Sequence, residues 1–429
     1  MKKLNIVATA VLGMLSASGA MAQSTVTLYG LVDGGFNHVS GLKNGSFNGI
    51  SSGIMEGSKF GMRGTEDIGG GYKAIFTLEG RFEVDTGALS NRPASGLQLP
   101  DRMSSAAGLG LTGAAAAVGP SIIPTLNNSL ATSALGVNLG GSLFDRQSFA
   151  GLITPFGAFT LGRQYTPGYL VGASFDASQT QSSLAAGQVA TFPPAFDIRL
   201  SNTLQYGIQM SGVTATLMYG AGEVAGQGSS AGRFFGGMVI YKGDGFSAGY
   251  GRNQRNNERG DHSLENNVFG ASVDVGPGTL YGQYTTIKDD NPSGLSTIGA
   301  SVQAGLTPVV GAATAAALGT VYQNAYLNAF KQDAKLMHVG YRLTTGPHTV
   351  VVAYNRLDDK RPANADTSSY GATYTYALSK RTNLNVVLTR FNNKGSGQAA
   401  PGGNGFLGGV TASAGQDSNN VAFGIRHTF

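Results

Sequence analysis

The chemistry open to this chain rests on a few basic residues set in alternating segments. Arg146, in Asp145-Arg-Gln-Ser-Phe-Ala-Gly151, and Arg199, in Arg199-Leu-Ser-Asn-Thr-Leu-Gln205, each alternate with small or polar residues and stand opposite apolar ones. Lys59 and Arg63 do the same against Phe60 and Met62. Side chains of an extended strand point to opposite faces in turn. The alternation therefore places Arg146 with Ser148 and Ala150, and Arg199 with Ser201, Thr203 and Gln205, on a wet face. Fixed cations on such a face attract anions without making or breaking bonds. Covalent and metal chemistry find little support. There is no cysteine, which removes thiol and thiolate-metal chemistry. His38, His262, His338, His348 and His427 show no ligand spacing, so neither a metal nor another cofactor is expected. Gly228-Ser-Ser-Ala-Gly232 fits a nucleophile-elbow pattern but lies between two extended segments rather than on a strand-to-helix turn, so no enzyme is expected.

Positioning such residues takes a wall, and the composition suits one with a lipid-facing side. Only 12% of the residues are charged, with 66 Gly among 429; a soluble domain is about 25% charged. Lys2 and Lys3, the apolar run Leu4–Leu15 and the small residues Ala20 and Ala22 read as a secretory signal peptide over 1–22, too short in its apolar part to span a bilayer. No later stretch has the length of a membrane-spanning helix. The 29 basic and 24 acidic residues leave too small an excess to imply a nucleic-acid partner.

Period-two alternation recurs instead over 23–429. It predicts strands near 24–37, 54–66, 72–84, 144–153, 158–164, 199–209, 213–222, 233–241, 245–253, 265–274, 279–288, 334–344, 348–357, 368–377, 382–392 and 418–429. Short turns alternate with long connections, as in an up-and-down barrel crossing a membrane with tight turns at one end and loops at the other. The expected fold is all-β, a 16-stranded antiparallel transmembrane β-barrel. Long extracellular loops are expected near 85–143, 165–198 and 289–333. The first and last are rich in Ala and Gly and read as flexible surface loops, with short helices or loop strands in an extracellular cap as the alternative; neither has enough periodic apolar residues for the core of a second domain. The third loop, 165–198, can fold inward and narrow the bore. It contains two acids, Asp176 and Asp197, and no base, so the expected pore constriction comprises Lys59, Arg63, Arg146, Arg199, Asp176 and Asp197. Arg163 shares parity with Phe159 and Leu161, which aims it outward. A charge facing mid-bilayer costs about 2–4 kcal/mol, so Arg163 is expected at the rim or under a neighbouring subunit.

The chain ends on Gly424-Ile-Arg-His-Thr-Phe429, an alternating strand with a terminal aromatic. With Val26–Asp33 (VTLYGLVD), Ser58–Gly71, Ala74–Gly80, Asp145–Leu152 and Leu161–Pro167, this ending resembles the general porins of beta-proteobacteria. The resemblance covers nearly all of 23–429. It implies an outer-membrane homotrimer, set in outer-membrane lipid and lipopolysaccharide, that passes ions and small hydrophilic solutes by passive diffusion. It also implies that Phe429 is an assembly signal, and that Lys59, Arg146 and Arg199 form a basic cluster facing the inserted third loop. Lys59 stands where that family usually has arginine, keeping the charge but losing the planar fork. Enteric porins place an acidic motif in the third loop, which is lacking here, so the expected selectivity is weakly anionic. A substrate-specific sugar porin and a barrel-borne hydrolase are the alternatives. The first would want aromatic residues along the lumen, whereas most Tyr and Phe here share the lipid face.

Overall fold

The computed structural model describes residues 25–89, 98–133, 142–180, 184–185, 197–222, 224–402 and 410–429. The leader read over 1–22 lies outside them. The alternating segments form β1 (Thr25–Leu42), β2 (Gly45–Ser52), β3 (Lys59–Gly69), β4 (Tyr72–Arg81), β5 (Gln147–Thr154), β6 (Gly157–Tyr165), β7 (Arg199–Met210), β8 (Val213–Gly220) and β9 (Phe234–Lys242). They continue as β10 (Phe246–Asn256), β11 (His262–Val275), β12 (Gly278–Asp289), β13 (Gln332–Thr345), β14 (His348–Asp359), β15 (Thr367–Ala377), β16 (Thr382–Asn393) and β17 (Ser418–Thr428). Neighbours in the wall pair antiparallel, and β1 pairs with β17 from Leu31↔Thr428 to Ser40↔Asn419. Lipid offers no partner to an unpaired N–H or C=O, and closure removes both sheet edges.

Seventeen segments make sixteen wall strands because β2 and β3 are two parts of one. β2 pairs with Gly34–Leu42 of β1, and β3 with Thr25–Leu31. The alternation predicts one continuous strand over 54–66; residues 53–58 instead leave the wall. The cause is Asp33, whose carboxylate accepts the backbone N–H groups of Ile54, Met55 and Glu56 and so diverts them from the ladder.

The two faces of the wall invert the pattern of a soluble protein. Outward Leu28, Leu161, Leu217, Phe235 and Phe423 are 64, 62, 56, 58 and 58% exposed. Inward Thr203, Gln205, Asn253, Asn266, Asn355 and Asn385 are all buried. An apolar outer band of this kind is stable only against hydrocarbon. Short turns join the strands at one end; Ser211 and Gly212 take φ of 50° and 81°, the left-handed pair that a two-residue hairpin turn requires.

The other end carries helices. Among the described residues the long connections hold α1 (Asp101–Ser104), α2 (Gly113–Ser133), α3 (Pro167–Ser174), α4 (Ile298–Val310) and α5 (Ala312–Phe330). α1, α2, α4 and α5 share one apolar core, which includes Met103, Ile123, Leu126, Val302, Leu318 and Tyr322. The Tyr322 hydroxyl donates to the Ala115 carbonyl at 2.8 Å. Among the described residues of 85–143 and 289–333, the helices of the alternative reading therefore stand in place of flexible loops. Each stretch alone lacks a core, but the two together supply one. Gly299 and Gly319 let α4 and α5 touch backbone to backbone, since a Cβ on Gly319 would lie 2.6 Å from the Gly299 carbonyl oxygen. Residues 113–133 and 291–330 contain no charged side chain.

α3 begins the third loop and packs inside the barrel against β9–β11. Glycines make the room: a Cβ at Gly270 would meet the Phe175 ring at 2.2 Å, and one at Gly251 would meet Val171 at 2.8 Å. The Gly168 N–H donates to Asn253 Oδ1 at 2.8 Å, and Gln283 Nε2 donates to the Gly172 carbonyl at 2.8 Å.

Candidate functional site

The constriction is built where β3, β4 and the start of β5 face the root of the third loop. Glu79, on the lumen face of β4 with Thr77 and Ile75, sits at its centre. Its two carboxylate oxygens accept from Arg146 Nε at 2.8 Å and from the Tyr29 hydroxyl at 3.1 Å. Arg146 also donates to the Tyr165 hydroxyl at 3.1 Å, and Arg199 donates to the same oxygen at 2.7 Å. The Arg199 guanidinium lies 4.3 Å from the Tyr165 ring centre, and that ring stacks on Tyr169 at 5.4 Å and 9°. Tyr165, the last residue of β6, thus ties two wall cations to the loop.

Lys59 joins the same wall through Glu56, whose carboxylate it meets at 2.5 Å, while Arg426 reaches the other oxygen of Glu56 at 3.3 Å. Arg63 lies 5.3 Å over the Tyr29 ring. Arg81 pairs with Asp145. The Arg146–Glu79 pair is nearly dry, both residues being about 4% exposed, and a hydrogen bond between ionised partners holds it in fixed geometry.

The six residues taken from the sequence do not all meet. Lys59, Arg63, Arg146 and Arg199 line one region, but Asp176 and Asp197 are elsewhere. Asp176 accepts from the Ser178 N–H at 2.8 Å and the Ser178 hydroxyl at 2.7 Å, near His338 and Arg342 of β13. Burial pushes its carboxyl above the usual range, and His338, the two Ser178 hydrogen bonds and Arg342 pull back only part of the shift. Asp197 pairs with Arg255 at 2.7 Å.

Strand parity also needs correcting at two places. In β5, Phe149 and Gly151 face inward while Ser148 and Ala150 face outward, opposite Arg163 and Leu161 of β6. Arg146 reaches the lumen because it precedes β5, where its backbone N–H bonds to the Glu79 carbonyl and the alternation is not yet established. In β7 an extra residue between Leu200 and Thr203, with Asn202 at φ 58°, breaks the run, so Ser201 lies with Arg163 outside. Arg163 shares the outer face at the long-loop end of β6, donating to the Asp145 carbonyl at 2.6 Å and to Ser201 Oγ at 3.1 Å.

Glu56, Glu79, Tyr165, Arg342 and Arg426 belong to this lumen and escaped the sequence reading. Glu79 carried a legible signal, its parity with Thr77. Arg342 depends on the third loop, whose Ala177 and Ser178 carbonyls it approaches at 3.4 and 3.3 Å. Phe429 closes the wall: its backbone exchanges two hydrogen bonds with Gly30, both 3.1 Å, and its ring covers the space where a Gly30 side chain would be.

Comparison with known proteins agrees with this geometry. A family model described as Gram-negative porin matches residues 8–396. The chain is similar to outer membrane porin protein 32 of Delftia acidovorans, 28% identical over 436 residues that span 97% of this chain and 98% of that protein. Its fold is that of an anion-selective porin from Comamonas acidovorans, with a TM-score of 0.64, 24% identity, and coverage of 95% of this chain and 100% of that one. A trimer form of OmpT, an outer membrane protein of Vibrio cholerae, gives a TM-score of 0.53 at 13% identity over 95% and 99% of the two chains. With the family matched over most of its length and a closed sixteen-strand wall around a charged lumen, this chain belongs to the Gram-negative porin family, an outer-membrane channel for passive diffusion.

Proposed function

We propose that the channel prefers anions and works as a homotrimer, with the capped end facing outside the cell and the leader 1–22 removed. The observation that carries the preference is the wall itself. Lys59, Arg63, Arg146, Arg199, Arg342 and Arg426 border the lumen, while Glu56 and Glu79 are each engaged by wall cations. An anion about 5 Å from one such cation in water gains roughly 0.8 kcal/mol, so a few of them bias ion passage severalfold. That strength suits selective diffusion rather than tight binding. The relative from Comamonas, described as anion-selective, supports the sign. No residue is assigned a catalytic role, and Gly228–Gly232 lies on the connection between β8 and β9. The outward band of Leu, Val, Tyr and Phe is the surface for outer-membrane lipid and lipopolysaccharide. Arg163, on the outer face at the loop end, is assigned to the subunit interface.

Reversal potential across a planar bilayer under a salt gradient tests the preference, and a cation-preferring sign refutes it. Crosslinking in native membranes tests the trimer; a protein that remains monomeric removes the interface role of Arg163.

A further inference from the structure

The break in the second wall strand carries Glu56 of the constriction, and it has a second role. Asp33, fully buried on the lumen face of β1, accepts the N–H groups of Ile54, Met55 and Glu56 at 3.0, 3.0 and 2.9 Å. Its backbone carbonyl takes the Gly53 N–H at 2.8 Å and the Ser58 hydroxyl at 3.0 Å. With the Asp33 N–H donating to Ser58 Oγ at 3.0 Å, six bonds to one residue hold residues 53–58 in a fixed turn.

This turn carries Ile54 and Met55 into the interior. There they pack with Leu184 and Ala185 of the third loop, in a cluster completed by Val39, Val387 and Ala422 among others. Leu184 and Ala185 are 0 and 1% exposed, and Thr389 Oγ1 donates to the Leu184 carbonyl at 2.6 Å. Ile54 is seated closely, since a Cβ on Gly424 would lie 2.9 Å from its Cγ1. The third loop is therefore gripped at two distant parts of the wall: α3 on β9–β11, and its distal part on the break beside β1, β16 and β17.

We infer that residues 53–58 form a socket that seats the distal part of the third loop, and that Asp33 is the positioning residue that shapes it. The open width of the channel depends on this seat as well as on α3. The inference rests on the third loop being the constriction, and it deepens that reading by naming what holds the loop in place. An asparagine at position 33 keeps the volume but offers one acceptor oxygen to three donors, so the socket loosens without any change at Arg146 or Arg199.

The absence of cysteine makes a single introduced thiol a clean reporter. In an Ala185→Cys protein, labelling by a charged, water-soluble thiosulfonate is slow. Adding Asp33→Asn is expected to speed it about tenfold, because local opening exposes what was covered, and to raise open-channel current noise. Ile54→Ala, which keeps the Asp33 bonds, is expected to act in the same direction and decides the matter if Asp33→Asn fails to fold. Oxidising an Ile54→Cys, Leu184→Cys pair in the Asp33→Asn background should return the noise to the parental level, a rescue that general damage to the barrel would not permit. Unchanged labelling and noise in both folded single variants, or failure of the 54–184 disulfide to form, overturns the inference. A parent protein that carries no current would refute the channel reading instead, and the labelling rates distinguish the two failures.

Discussion

Arg146 and Arg199 donate to the same phenol oxygen, yet their removal has different consequences. Arg146 neutralises Glu79 in a nearly dry site, so Arg146→Ala deletes a cation and uncovers a carboxylate together. Arg199 rests on the ring and hydroxyl of Tyr165 and acts on Glu79 through space rather than by a direct bond, so Arg199→Ala deletes a cation and leaves that carboxylate largely covered by Arg146. Reversal potentials should move toward cations in both variants, and further in Arg146→Ala. Adding Glu79→Gln to Arg146→Ala should recover part of the shift. Breaking a buried pair costs about 3–5 kcal/mol, so Arg146→Ala alone should also lower the thermal midpoint in detergent, and the double variant less. An equal shift in the two single variants would remove the special place of Glu79. Alternation in the sequence was enough to find Lys59 and Arg63 on the inner face. It misplaced Ser148, Ala150 and Ser201, because the strand has not started at Arg146 and an extra residue intervenes at Asn202, and a period of two survives neither. Asp176 and Asp197 have a legible charge, but which wall each meets depends on how the loop runs, and no local pattern encodes that.

Strands were legible because each carries its own two-faced pattern. Helices α2, α4 and α5 were not, for physical reasons that can be named. Pro120 and Pro124 interrupt α2 and Pro308 interrupts α4, which argues against helix locally. The apolar residues of α2 also meet partners some 200 positions away, such as Ala115 against Tyr322 of α5. Because the cap has its own core, it should loosen separately from the wall. Leu126→Ala with Tyr322→Ala is expected to cost several kcal/mol within the cap and to open residues 98–133 to limited proteolysis while the wall stays resistant. Cleavage that remains at the parental rate would mean that the wall, not the apolar core, holds the cap. Inside the bore, Gly270→Val should displace Phe175, since no side chain fits within 2.2 Å of that ring. Its expected signature is an altered single-channel conductance in a protein with unchanged strand content by circular dichroism.

For the whole molecule, the preference is a field effect and must obey screening. The Debye length falls from about 10 Å at 0.1 M to about 3 Å at 1 M salt, so the permeability ratio should decline toward unity over that range; a ratio independent of salt would point to a specific binding site instead. Closure offers a second test. Gly30 admits the Phe429 ring, so Gly30→Val should lower the yield of heat-modifiable folded protein on gels, as deletion of Phe429 should.

The hydrogen bonds between β1 and β17 have one more consequence. A polymer whose first and last ribbons are neighbours is, in effect, a ring with an arbitrary cut, and no part of the enclosure exists until the final residues have been synthesised. Linking the end of β17 to the start of β1 and opening the chain at Ser211-Gly212 should therefore yield a permuted protein that conducts like the original.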